Sequence, residues 1–167
     1  MTALILTTTV FATEDFGAHP VFGKLVGEWK GEGMMTNRSD GSQITITEAW
    51  TGSIENGRVV MNGQRVFGET EQSFSWTITF NEAQEILEGR YQAQDEAAEQ
   101  DLTLAVTVSE VDRSFTLIGA MSSGGPTVTI VNTFSESGDT MTGIVDLVGD
   151  SGDTIVDISM THQRMVE

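Results

Sequence analysis

Hydrophobic and polar residues alternate along most of this chain. In residues 73–80, Phe74, Trp76, Ile78 and Phe80 fall on one face and Ser73, Ser75, Thr77 and Thr79 on the other. Leu102, Leu104, Val106 and Val108 repeat the pattern, as do Val128, Ile130 and Phe134 with Asn132 among them. A period of two belongs to a half-buried strand, and about ten such segments follow Leu25. Asp40-Gly41, Asn56-Gly57, residues 123–126, Ser137-Gly138-Asp139 and Ser151-Gly152-Asp153 separate them. Asn and Gly supply the positive φ that tight hairpins require. Connections this short leave no room for crossover helices, so neighbouring strands are expected to be antiparallel.

Before Leu25 the period is helical. Residues 14–25 are the best place for a short helix, with Pro20 suited to a first turn and Phe22 and Leu25 three apart. The predicted fold is therefore all-β: an up-and-down antiparallel barrel of about ten strands, closed so that no edge is left, with a short N-terminal helix closing one end.

Composition narrows the partners. The chain has 167 residues, enough for one domain with a real core. Its 25 acids against 8 bases give a net charge of −17, which repels phosphate backbones and anionic membrane surfaces and favours solubility. With no cysteine, disulfides, thiolate metal sites and cysteine nucleophiles are excluded. Residues 1–12 are apolar and end at Ala12, like the tail of a secretory signal, but no positive segment precedes them. Residues 1–13 are accordingly read as an N-terminal extension or signal remnant and 14–167 as a single domain, with a cytoplasmic location favoured over export. No stretch approaches the ~18 apolar residues of a transmembrane helix.

In a barrel, chemistry is sought where polar groups interrupt the inward face. Glu48 shares parity with Ile44, Ile46 and Trp50, and Arg65 with Val59, Met61 and Phe67. Arg90 shares a face with Ile86, while Asn132 and His162 fall among apolar residues. Burying such charges singly is expensive, so Glu48 and Arg65 are expected to pair. Met34, Trp50, Phe67, Trp76, Tyr91, Met121 and Phe134 are candidate wall residues, and the expected ligand-contacting set is Glu48, Trp50, Arg65, Phe67, Trp76, Tyr91, Asn132 and His162. Only His19 and His162 are histidines, too few for a histidine metal site. His19, just before Pro20, is expected to cap or pack against the barrel end. Asp139, Asp146, Asp150, Asp153 and Asp157 read as solvated turns, and the acidic stretch 95–101 as a solvated hairpin loop. No nucleophile elbow, P-loop or dinucleotide fingerprint is present.

Residues 25–33 (LVGEWKGEG) place Leu25, Gly27, Trp29, Gly31 and Gly33 on one face. Inward glycines suit a sharp bend or the close approach of another backbone or a ligand. This Gly-x-Trp after a short helix resembles the first-strand signature of the calycins, the lipocalin and fatty-acid-binding superfamily. The resemblance implies that Trp29 packs near an arginine of the final strand, here Arg164, at the end closed by the helix near Pro20. The spacing from His19 to Gly33 is similar to a bacterial calycin-like family of uncharacterised proteins. Residues 27–33 also resemble the nitrobindins, haem-binding barrels, although residues 34–37 lack that family's aromatic-proline pair.

The leading expectation is a non-enzymatic module that binds a small apolar or amphipathic molecule inside the barrel and needs no cofactor. One alternative is a haem protein or small enzyme using His162. Another is a barrel filled by its own side chains, acting as an interaction or oligomerisation module; eight methionines supply adaptable packing for it.

Overall fold

The computed structural model describes residues 15–94 and 99–166, and the apolar segment 1–12 read as a signal remnant lies outside them. Ten antiparallel strands close into one barrel in which each strand pairs with its sequence neighbours and the last pairs with the first. They are β1 (Gly27–Asn37), β2 (Gln43–Glu55), β3 (Arg58–Phe67), β4 (Thr70–Asn81) and β5 (Ile86–Gln94). The second half is β6 (Glu99–Ser109), β7 (Ser114–Ala120), β8 (Thr127–Phe134), β9 (Thr140–Val148) and β10 (Thr154–Arg164). Asn56 and Gly57 form the two-residue turn between paired Glu55 and Arg58, both with positive φ (50° and 73°), as a hairpin of this length demands.

The expected helix over 14–25 is reduced to a single 3-10 turn, Phe22–Leu25. His19 competes with helical pairing, because its Nδ1 accepts the backbone N–H groups of Val21 (3.1 Å) and Phe22 (3.3 Å). Gly17 and Gly23 further lower helix propensity in so short a segment. The turn still closes one end of the barrel. Phe22 and Leu25 are fully buried, and Phe22 meets Phe16 and Phe115 at ring-centroid separations of 5.5 and 5.8 Å.

Trp29 and Arg164 are directly opposite in the β1–β10 ladder. The guanidinium carbon of Arg164 lies 4.7 Å from the centre of the Trp29 ring. Its Nη1 and Nη2 donate to the carbonyls of Val26 and Lys24, so the last strand is tied to the 3-10 turn. Trp29 stacks on Trp50 at 5.3 Å and meets Phe134 at 6.0 Å. With Val59 and Ile78, also fully buried, these side chains fill the closed end as a solid floor.

Several finer readings need correction. Glu99 and Asp101 belong to β6, where Asp101 accepts two hydrogen bonds from Arg90; only part of the 95–101 stretch connects strands, and residues 95–98 lie outside the described residues. Asp146 and Asp157 sit in β9 and β10, opposite each other, rather than in turns, and Arg38 pairs with Asp157. Arg90 is on the outer wall: the inward residues of β5 are Leu87, Gly89, Tyr91 and Ala93, and the parity that joins Arg90 to Ile86 is the solvent one.

Candidate functional site

Above the floor, the interior carries one polar belt. His162 of β10, Gly31 of β1, Glu48 of β2, Arg65 of β3 and Gln72 of β4 lie in direct register across successive strands. Glu48 Oε2 is 2.9 Å from His162 Nε2, and Oε1 accepts from Arg65 Nε. Arg65 Nη1 donates to the Tyr91 hydroxyl at 3.1 Å, and that hydroxyl donates to Gln72 Oε1 at 3.2 Å. His162 and Glu48 stand on strands separated by β1, so their contact needs Gly31 between them. A Cβ there would come within 2.6 Å of His162 Nε2. The absent side chain is therefore what lets the two groups meet.

Each charge in the belt has company. The Arg65 guanidinium carbon lies 4.9 Å from the ring centre of Phe74, 5.3 Å from Phe67 and 5.9 Å from Tyr91, an aromatic cage suited to a delocalised cation. Burial opposes ionisation of Glu48, but the hydrogen bond from His162 and the charge of Arg65 outweigh it and hold the carboxyl below its ordinary value of 4.5. Burial pushes the Tyr91 hydroxyl above its ordinary value of 10.0, so it stays a neutral donor to Gln72. His162 Nδ1 is buried with no hydrogen-bond partner among the described residues.

Over and around the belt lies a cavity of about 380 Å³. All eight residues of the expected set line it: Glu48, Trp50, Arg65 and Phe67 from β2 and β3, Trp76 and Tyr91 from β4 and β5, Asn132 from β8 and His162 from β10. The wall is two-sided. Trp50, Phe74, Trp76 and Tyr91 make an aromatic side, while Ile130, Val145, Leu147 and Ile158 make an aliphatic one. Toward the end opposite the 3-10 turn, Phe67, Met121, Val145, Leu147 and Val156 face inward yet are only half-buried. Inward apolar residues that remain half-exposed mark space the chain does not fill.

Two candidate wall residues are misplaced in the sequence reading. Met34 is exposed, because inward parity on β1 runs through Trp29, Gly31 and Gly33 to Met35, which lines the cavity in its stead. Phe134 is part of the floor, 6.4 Å from Phe115. Gln72 was missed; extending the alternation of Phe74 and Trp76 by one step would have found it, since β4 begins at Thr70. Met121 lines the cavity as expected. Among the described residues, no three His, Asp or Glu side chains converge as metal ligands.

Haem held by His162 does not fit this arrangement. Axial ligation needs an imidazole nitrogen aimed into open space, but Nε2 is engaged by Glu48 and Nδ1 is inaccessible. The ring edge also lies against the Gly31 backbone.

No family model matches the chain, and no curated protein matches it in sequence. Solved structures do match its fold. An S-type phycobiliprotein lyase, CPES, from Guillardia theta superposes with a TM-score of 0.58 at 12% identity, over 87% of this chain and 90% of that one. Rv2717c from M. tuberculosis gives 0.54 at 10% identity, over 86% and 94%. A DUF3598-family protein of unknown function from Nostoc punctiforme gives 0.55 at 13% identity, over 86% of this chain and 48% of that one. At these identities the likeness is one of fold, a closed antiparallel barrel.

Proposed function

We propose that this protein is a binding module that holds a small apolar or amphipathic molecule in the unfilled half of its barrel. The carrying observation is the contrast between a solid floor and a cavity of about 380 Å³ lined by inward apolar side chains that remain half-exposed. Ligand pockets begin at about 300 Å³, so this volume favours an occupied interior over the filled-barrel reading. Trp50, Phe67, Trp76 and Tyr91 would supply contact area, and the belt around Glu48, Arg65 and His162 would orient the ligand's polar end. Likeness to a phycobiliprotein lyase supports the barrel fold alone and carries none of that protein's reaction.

Titration with N-phenyl-1-naphthylamine tests this. A saturable rise in dye emission at one site per chain, sensitised by the cavity tryptophans, is expected. Emission that rises linearly without saturation, together with native mass spectra showing no retained small molecule, would overturn the proposal.

A further inference from the structure

Resting on that reading, we infer that the ligand is uncharged and offers a hydrogen-bonding carbonyl or hydroxyl, and that the site discriminates against both carboxylates and amines. Arg65 is the cationic side chain on the cavity wall, and it is not a free anion receptor. Its charge is balanced by Glu48, and Nε and Nη1 are already committed to Glu48 and Tyr91. A carboxylate entering here would lose its hydration and meet an Arg65 already paired with Glu48, whose like charge lies alongside. Recruiting Arg65 fully would strand Glu48 as a buried, half-paired carboxylate, a strongly unfavourable exchange. An amine fares no better, because Arg65 and His162 already occupy both Glu48 oxygens.

Apart from Arg65 Nη2, to which no described residue is hydrogen-bonded, the wall's uncommitted polar groups are neutral. The Asn132 side chain lines the cavity together with His162. It makes no hydrogen bond with another described residue, and its Oδ1 sits over the bare backbone of Gly143. Gln72 accepts from Tyr91 through Oε1, leaving its NH₂ group uncommitted among the described residues. An amide can donate to a carbonyl or bond a hydroxyl either way without any charge being desolvated. That pairs a neutral polar end with a neutral receptor inside an apolar cavity.

The test compares 2-naphthol, 2-naphthoate and 2-naphthylmethylamine by isothermal titration calorimetry at pH 7, which holds shape nearly fixed while changing charge. Naphthol is expected to bind at least about tenfold more tightly than either ion, a difference of about 1.4 kcal/mol. Asn132→Ala is expected to weaken naphthol several-fold without changing Tm, while leaving the weak naphthoate binding unchanged. Naphthoate or the amine binding as tightly as naphthol would overturn this inference and leave the binding function standing. Failure of all three to bind, together with failure of the neutral dye, would overturn both.

Discussion

Glu48 and His162 hydrogen-bond at 2.9 Å although the whole of β1 runs between their strands. They reach each other across Gly31, which is in register with both. The belt thus depends on a residue that contributes no side chain, and its neighbours show how such a dependence can be tested.

Gly31→Ala is expected to cost about 2 kcal/mol, the usual range for overpacking a filled interior, with urea denaturation as the measurement. The clash is with the His162 side chain, so adding His162→Ala should relieve it and make the pair of changes distinctly less than additive. Gly33→Ala offers the contrast. There a Cβ would strike the backbone carbonyl of Ser159 as well as Met160, and shortening a side chain cannot remove the former. Strict additivity at Gly31 would sink this explanation of the belt.

The ion pair predicts a pH dependence. The folded-state pKa of Glu48 lies below its ordinary value of 4.5, so on acidification the unfolded chain takes up this proton first. The resulting stability is present above pH 4.5 and is lost as pH falls through the folded value. Glu48→Gln should be less stable at pH 7, by about 2 kcal/mol because Arg65 is left half-buried without its partner. Its Tm should also fall less steeply than that of the parent between about pH 5 and 3. Parallel profiles would remove Glu48 from the acid transition.

Arg164 joins β10 to the 3-10 turn through two carbonyls and covers the face of Trp29. Arg164→Ala should destabilise the barrel by about 2–4 kcal/mol, from lost charged hydrogen bonds and the cation–ring contact. Lysine cannot span both carbonyls with one planar fork, so Arg164→Lys should recover less than half of the loss in thermal denaturation.

The two halves of the interior should respond oppositely to added bulk. Val59→Phe, in the filled floor, should cost at least about 1–3 kcal/mol. Val145→Phe, on the half-exposed cavity wall, should leave Tm within a few degrees while abolishing dye binding. Equal destabilisation by both would mean that the cavity collapses in solution.

Alternation and turn residues were enough to read ten antiparallel strands, because a strand's period and a hairpin's dihedral requirements are local. They also placed all eight expected site residues on the inner face. Errors arose where one residue of parity decides between wall and solvent, at Met34 and Arg90, and where a side chain outcompetes a helix for backbone donors, at His19. The height of an inward residue along the barrel is not local: Phe134 falls in the floor and Asn132 on the cavity wall, although both belong to β8 and share its inward face.

By itself, then, the sequence determined the fold class, the antiparallel order and, outside a few positions such as Met34 and Arg90, which side chains face inward, since each follows from neighbours within a few residues. Only the tertiary structure decided that His162, Glu48, Arg65 and Gln72 share one level, that Gly31 is the gap through which two of them meet, and that the floor is solid while the upper half is not. Those facts depend on ladder register between β10, β1, β2, β3 and β4 and on how side chains from all ten strands share one interior volume. Closure of the barrel sets both at once, and no single segment carries that information.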